Sequence, residues 1–166
     1  MWIKLNNLMD NELVAKIAEA AAAGVTVKMI VRSTCALMPE SLKGKANVSI
    51  TSIVDKYLEH SRIVIFNNNG EERCFISSAD WMTRNLNSRV ETACPIYDKR
   101  ILHELKTYFE LQLMDNVKAR VINDPQDNRY AQTQSPQPFR SQNEIYNYLF
   151  DTGLNAQPAM PLNKAS

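Results

Sequence analysis

Glycine, cysteine and long apolar runs are scarce in this sequence. Its 166 residues include four glycines and three cysteines, the latter being Cys35, Cys74 and Cys94. The cysteines form no CxxC pair and no metal-ligand spacing, so we expect neither a zinc site nor a redox pair. No apolar run approaches the ~20 residues of a membrane span, and the apolar start is too short for a secretory leader. These absences predict free thiols and a cytoplasmic location, with peripheral contact to a membrane left open.

Neither sign of charge dominates the chain. Lysine and arginine together number 19 and aspartate and glutamate 18, which gives a formal net charge of +1. A dedicated nucleic-acid binder usually has a clear basic excess, so we expect no nucleic-acid partner, although a local basic pocket for phosphate is compatible with this balance. Apolar residues make up 45% of the chain, which predicts a globular domain with a real core.

The apolar patterning predicts a mixed α/β domain with a parallel-rich sheet. Asp10 and Gly24 bracket a helix that joins two apolar strands, and such a strand–helix–strand unit is typical of parallel neighbours. Asn69-Gly70 predicts a hairpin, because both residues tolerate positive φ. A second, amphipathic helix is predicted over residues 98–116. Strands are predicted over residues 2–5, 25–32, 48–54, 62–66, 73–77, 90–96 and 117–122.

The composition changes after residue 122, where proline, glutamine and asparagine become frequent. We therefore predict a folded lobe over residues 1–122, followed by an extension of the same domain over residues 123–166. Ser141 and Glu144 have the spacing of a capping box, which predicts a short helix at that point. Residues 153–166 are expected to fray.

The two histidines of the chain differ in context. His60 ends a strand-like segment, and imidazole suits phosphoryl chemistry because it can act as a nucleophile or a proton donor near neutral pH. Arg62 would point to the same side if this segment is extended. A single histidine is nevertheless more often structural than functional. His103 lies beside the apolar stripe of the second long helix and is interpreted as a boundary side chain.

Two further positions offer phosphate-binding groups. Arg32 closes a buried-looking strand, and ligands of open α/β sheets bind beyond the carboxyl ends of strands. Its planar guanidinium matches a phosphate, although a solvated arginine explains the same position equally well. Ser77 and Ser78 could donate hydrogen bonds to phosphate, or they could belong to a turn in which Asp80 bonds its own backbone.

Several longer sequence blocks are specific enough to indicate a protein family. They resemble the C-terminal part of the polyphosphate kinases of the first family, and the resemblance extends from residue 3 to about residue 150. The blocks are NNLMD at 6–10, AAGV at 22–25, IVR at 30–32, SIVDKYLEHSR at 52–62, ISSADWMTRNL at 76–86, DNVKAR at 115–120 and NRY at 128–130.

The resemblance implies a phospholipase D-like lobe, with a mixed sheet flanked by helices and a C-terminal extension. It implies an enzyme that reversibly transfers the terminal phosphate of ATP to inorganic polyphosphate with Mg²⁺, which is bound mainly through the nucleotide and a preceding lobe. That preceding lobe, which these residues do not include, would carry the phosphorylated histidine. The fragment is then expected to be inactive alone, with the rest of the polypeptide as its partner, and the full enzyme is expected to be a homo-oligomer.

The resemblance also assigns site residues. His60 matches the second active-site histidine, which contacts the nucleotide phosphates, and Arg32 matches an arginine that does the same. Arg62 stands at the lysine of the His-x-Lys pattern, and Ser78 belongs to the step that resembles Gly-Ser in that superfamily. The chain departs from the family at two loop positions, Ser33 and Glu40, where glycine is common.

Two other functions fit parts of the sequence. A phospholipase D-type phosphodiesterase could pair His60 from two copies across a two-fold axis, although Arg62 replaces the lysine and Asn67 stands at the position of the aspartate. A non-catalytic interaction module could instead use residues 123–166 as a docking segment.

Overall fold

A computed structural model describes residues 1–39, 42, 47–123, 125–133 and 136–155 of the chain, with side chains described as far as Asp151. Glu40, singled out above as a departure, lies outside these residues. The strands are β1 Trp2–Leu5, β2 Val27–Val31, β3 Val48–Ile53, β4 Ile63–Phe66, β5 Arg73–Ser77, β6 Ala93–Ile96 and β7 Ala119–Val121. The helices are α1 Asn11–Ala22, α2 Thr83–Ser88, α3 Lys99–Leu113 and α4 Ser141–Asn155.

All seven strands form one sheet, in the order β6-β5-β4-β1-β2-β3-β7. Only β1–β2 and β2–β3 pair in parallel, whereas the other four pairings are antiparallel. The mixed α/β architecture is therefore as predicted, but the expectation of a parallel-rich sheet is wrong. The hairpin between β4 and β5 is too short for the crossover that parallel neighbours need, whereas the longer connection from β5 to β6 contains α2 and still returns antiparallel.

Helices cover both faces of the sheet. On one face, Ile17 and Ala21 of α1 pack against inward-facing residues of β1 and β2 such as Ile3 and Met29. On the other face, Phe109 of α3 is fully buried and stacks on Trp2, with 5.3 Å between ring centroids. Because successive strand residues point to opposite faces, β1 contributes to both cores. Among the described residues, no helix is both long and apolar enough to cross a bilayer.

Local sequence signals account for both ends of α1 and for the hairpin between β4 and β5. The side chain of Asp10 accepts a hydrogen bond from the Leu13 amide at 3.1 Å, and Gly24 follows α1 with a φ of 90°. The hairpin between β4 and β5 also forms as predicted, and Asn69 and Gly70 adopt φ values of 54° and 92°. Positive φ is tolerated by asparagine and glycine, so these residues allow the chain to reverse.

Four local expectations need correction. The prediction of a strand-like segment ending at His60 is wrong, because residues 54–62 form a loop. The sequence does not predict α2, since Met82 supplies no side-chain cap. The strands β6 and β7 are shorter than predicted. The helix α4 continues past Gly153, where fraying was expected, and residues 156–166 lie outside the described part.

The start of α4 also differs from the predicted capping box. The Ser141 amide and hydroxyl both donate to Asp115 Oδ2, at 2.8 and 2.7 Å. Oδ1 of the same carboxylate accepts the amides of residues 117, 118 and 119 at 2.7–3.1 Å. A fully buried aspartate at the end of α3 therefore caps a helix that begins 26 residues later. The boundary predicted at residue 122 stays a prediction.

Candidate functional site

The strand register brings polar residues together at one edge of the sheet. The parallel strands β1 and β2 end there, so Asn6 and Arg32 follow them directly. The antiparallel β4 begins at the same edge and β5 ends there, since Ile63 pairs with both Lys4 and Ile76. His60, Arg62 and Ser78, which are far from Arg32 in sequence, are thereby placed at a common edge.

Asp80 is the centre of this edge. Only 4% of it is exposed, and its carboxylate accepts hydrogen bonds from two asparagines and one arginine. Asn6 and Asn7 donate through their backbone amides at 2.9 and 3.0 Å, and Arg62 donates through Nε and Nη2, both at 3.1 Å. Burial opposes ionisation, but these donors outweigh it and hold the pKa of Asp80 well below its usual range. The carboxylate therefore stays charged and fixes Arg62.

Arg62 in turn holds His60. Its Nη1 donates to the His60 carbonyl at 3.0 Å. Its guanidinium lies against the imidazole, with Nη1 3.1 Å from Nδ1 and Nη2 3.1 Å from Nε2. The expectation that His60 and Arg62 point to the same side is confirmed, although the segment is a loop rather than a strand. The imidazole itself remains exposed.

Arg32 uses its side chain differently from Arg62. Its Nε donates to Asn6 Oδ1 at 2.5 Å, which connects it to the Asp80 cluster. Its Nη1 and Nη2 have no hydrogen-bond partner among the described residues, and the residue is half-buried. A planar guanidinium with two unoccupied donor groups matches the oxygens of a phosphate.

Ser78 makes a second cluster beside the first. Its Oγ donates to Glu91 Oε2 and accepts the Thr92 amide at 3.0 Å. Asn85 of α2 donates to Glu91 Oε1 at 2.6 Å. The neighbouring Ser77 Oγ accepts the Ala79 amide at 3.0 Å, so local turn bonding is present. The assignment of Ser78 to phosphate stays a prediction.

The loop that carries His60 rests on a buried polar network. Glu59 is 7% exposed, and Lys4 Nζ, which is also buried, donates to its Oε2 at 3.1 Å. Tyr108 and Gln112 of α3 donate to the same oxygen, each at 2.9 Å. Gln142 of α4 donates to Oε1 at 2.9 Å. Burial opposes ionisation of Glu59, but Lys4 and Gln142 outweigh it and keep its pKa below the usual value.

The structure thus gathers Arg32, His60, Arg62 and Ser78 at one edge, whereas His103 lies elsewhere. His103 is exposed on α3 and lines a cleft beside the β4–β5 hairpin, as its interpretation as a boundary side chain predicted. Sequence reasoning did not find three of the organising residues, which are Asn6, Asp80 and Glu59. The signal that could have found Asn6 is its place directly after the apolar β1, opposite Arg32 in the parallel register.

The carboxylates at this edge do not form a magnesium cage. Asp80 is occupied by Arg62, Asn6 and Asn7, and Glu91 by Ser78 and Asn85. Among the described residues, no group of three or more His, Cys, Asp or Glu side chains has metal-binding geometry. A hard cation such as Mg²⁺ requires free oxygen ligands, so these side chains do not fit it as a set.

Comparison with known proteins identifies the relatives of the chain. A family model described as polyphosphate kinase C-terminal domain 2 matches residues 1–142. The polyphosphate kinase of Klebsiella pneumoniae is 43% identical over 147 residues, which cover 89% of this chain and 22% of that protein. The chain thus spans about a fifth of the length of the curated relatives it matches.

Solved structures agree with these sequence matches. The polyphosphate kinase from Porphyromonas gingivalis aligns with a TM-score of 0.88 at 42% identity, covering 93% of this chain and 24% of that one. Nuc from Salmonella typhimurium, a phospholipase D family member, aligns with a TM-score of 0.55 at 11% identity over 74% of this chain and 80% of that one. The second likeness shows the fold alone, and it confirms the predicted phospholipase D-like α/β fold. Together with the family model, the close relatives show that the chain belongs to the polyphosphate kinase family, of which it is a C-terminal domain.

Proposed function

We propose that the chain supplies the phosphate-binding side of an active site that reversibly transfers the terminal phosphate of ATP to inorganic polyphosphate. The observation that carries the proposal is the connection of Arg32 to His60 through Asn6, Asp80 and Arg62 at one sheet edge. The two Nη groups of Arg32 have no hydrogen-bond partner within the described ranges of the chain, and His60 is exposed at the same edge.

The proposed roles follow from the chemistry of phosphoryl transfer. The transferred group needs cations where negative charge is spread over its oxygens. Arg32 holds phosphate oxygens through its two Nη groups. His60 either donates a proton to a leaving oxygen or stabilises charge at that oxygen, and both roles use the same exposed imidazole. Arg62 and Ser78 are proposed as additional phosphate contacts. Their donor groups already bond Asp80 and Glu91, so a phosphate would share these donors with the two carboxylates.

The remaining parts of the site are proposed to lie outside this chain. The phosphorylated histidine would belong to a preceding lobe, which is supported by the sequence: His103 is its only other histidine and lies away from the edge. Mg²⁺ would enter with the nucleotide and be held mainly by that lobe, because Asp80 and Glu91 are occupied. The same proposal takes the full-length enzyme to be homo-oligomeric and cytoplasmic, which sizing and cell fractionation of that enzyme would test.

A chimera tests the proposal directly. This chain would replace the matching domain of the Klebsiella pneumoniae polyphosphate kinase, and ATP-dependent polyphosphate synthesis would be measured for the chimera and for the isolated chain. We expect synthesis by the chimera, loss of synthesis in its His60→Ala variant, and no synthesis by the isolated chain. His103→Ala serves as the matched control and should leave synthesis unchanged. Robust synthesis by the isolated chain would contradict the proposal.

Phosphate binding by the isolated chain separates the alternatives. A ligand that binds only the folded state raises the melting temperature, so tripolyphosphate should stabilise the chain and stabilise the Arg32→Ala variant less. No shift with tripolyphosphate, combined with partner binding that requires residues 123–166, would favour the interaction module. Hydrolysis of bis-p-nitrophenyl phosphate that is lost in His60→Ala would favour the phosphodiesterase.

A further inference from the structure

The loop that presents His60 is held from three separate elements. Lys4 comes from β1, Tyr108 and Gln112 come from α3, and Gln142 comes from α4, and all four donate to the Glu59 carboxylate. Loop residues have few backbone partners of their own, so a buried carboxylate with four donors largely determines where this loop lies.

The network sets the direction in which each loop side chain points. Gln142 accepts the Tyr57 amide at 3.0 Å and donates to the Tyr57 carbonyl at 2.9 Å. The hydroxyls of Ser61 and Tyr108 are 3.0 Å apart. Glu59 and Ser61 are thereby turned inward, while Leu58, which is 68% exposed, and His60 are turned outward. This alternation directs the imidazole toward the Arg62–Asp80 pair.

Lys4 is an unusual residue for its place in the fold. It is 1% exposed in a central strand, between the buried Ile3 and Leu5. A buried ion pair is weak as a source of stability, because well-packed apolar residues of similar volume often replace it without loss. The Lys4–Glu59 pair, held further by a 2.8 Å bond from Lys4 to Gln112, therefore suggests a requirement other than packing.

We propose that Lys4, Glu59 and Gln142 are positioning residues, which hold the His60 loop so that the imidazole meets the phosphate in a single orientation. The inference rests on the proposed function of His60, but the orientation itself can be measured without turnover. A reacting group displaced by about 1 Å can lose about 100-fold in rate, so a positioning role predicts an effect on kcat rather than on binding.

Nuclear magnetic resonance of the isolated chain tests the orientation. In wild type, we expect one set of sharp imidazole signals for His60 and cross-peaks between its ring and the Arg62 side chain. Lys4→Met and Gln142→Ala should broaden these signals and weaken the cross-peaks. Ile17→Ala removes buried methyl groups on the opposite face of the sheet and controls for lost stability alone. Unchanged His60 signals in Lys4→Met and Gln142→Ala, with the chain folded, would overturn the inference.

The chimera then tests the consequence for the reaction. Lys4→Met and Gln142→Ala should lower kcat about 10- to 100-fold while KM for ATP changes little. Lys4→Met/Glu59→Gln removes both charges but keeps an acceptor for Gln112 and Tyr108, and it should recover part of the loss. Lys16→Met is the matched control, since Lys16 pairs with Glu19 at the surface, where their side chains are 70% and 64% exposed. It should leave kcat and KM unchanged.

The two proposals fail in different ways. If His60→Ala leaves synthesis unchanged in the chimera, the proposed function of His60 is wrong, whereas the resonance experiment still decides whether the network orients the ring. If His60→Ala abolishes synthesis but Lys4→Met and Gln142→Ala behave like Ile17→Ala, only the positioning inference is wrong.

Discussion

Arg32 and Arg62 lie at the same edge of the sheet but use their guanidinium groups in different ways. Arg62 gives Nε and Nη2 to Asp80 and contacts His60 with both Nη groups, so it acts as a support. In the part of the chain that the structure describes, the Arg32 side chain bonds only Asn6, through Nε. Two arginines that look equivalent in the sequence are thus distinguished by their partners, and the one with free donor groups is the better candidate to bind a ligand.

Replacement of Arg32 provides the sharpest test at a single residue. In the chimera, Arg32→Ala should remove charge-assisted hydrogen bonds to phosphate and cost about 2–3 kcal/mol of transition-state stabilisation, or about 30- to 150-fold in kcat/KM. Steady-state kinetics with ATP and polyphosphate measure this loss. His103→Ala should change kcat/KM little, because its side chain is exposed on α3. Equal kinetics for wild type and Arg32→Ala would show that Arg32 does not contact the phosphates.

The three free thiols should react at different rates. Cys94 is exposed, Cys35 is half-buried and Cys74 is buried. Burial raises the pKa of Cys35, and burial with the nearby Glu72 raises the pKa of Cys74 to about 11. Because the thiolate is the reactive form, iodoacetamide near pH 8 should modify Cys94 first and Cys74 last. Peptide mass spectrometry over time measures the order, and equal rates in the folded chain would contradict it.

At the scale of elements, Asp115 joins α3, β7 and α4. It lies just beyond α3, accepts the amides that lead into β7, and caps α4 through Ser141. Burial opposes its ionisation, but the amides of Lys118 and Ala119 and the hydroxyl and amide of Ser141 outweigh burial and lower its pKa. One side chain therefore connects the sheet to the helix that holds the His60 loop.

Asp115→Asn should destabilise the chain by about 2–4 kcal/mol, because an amide nitrogen cannot accept the hydrogen bonds of a carboxylate oxygen and buried donors lose their partner. Urea denaturation followed by circular dichroism measures the loss. Asp98→Asn is the matched control, since Asp98 is an exposed cap of α3 and asparagine caps helices about equally well. A loss no larger than that of Asp98→Asn would show that Asp115 does not join these elements.

The sequence predicts those elements that have clear local signals. It does not predict features that depend on contacts between residues far apart in the chain. The helix α1 has Asp10 and Gly24 at its ends, and both act as predicted. The helix α2 has only six residues and no side-chain cap, so no local sequence signal predicts it. In the site, Arg32 and His60 stand out by residue type and motif. Glu59 does not, because its partners Lys4 and Gln142 lie 55 and 83 positions away.

At the scale of the whole molecule, carboxylates held in charged form make stability depend on pH. The pKa values of Asp80 and Asp115 are lower in the folded chain than in the unfolded one, despite burial, because hydrogen-bond donors favour the charged form. Their contribution to the free energy of unfolding is therefore complete above about pH 5 and is lost as the pH falls below it.

Urea midpoints measured between about pH 6 and pH 3 should fall steadily for the wild type. Asp80→Asn should be less stable near pH 6, and its urea midpoint should fall less steeply with pH, since one carboxylate with a lowered pKa is gone. Glu12→Gln, at the exposed first turn of α1, is the control for replacing one carboxylate by an amide. A slope in Asp80→Asn equal to that of wild type would contradict the coupling.

The bond from Lys4 to Gln112 spans 108 positions of the chain. During synthesis, at about 5–20 residues per second, β1 would wait about 5–20 seconds before Gln112, the later of the two partners of its lysine, exists. The sheet of the first three strands can assemble in that interval, but Lys4 has to stay hydrated until α3 and then α4 arrive. The loop around His60 is therefore completed last. A nascent or truncated chain without α4 would contain His60 but lack Gln142, which holds the His60 loop in place.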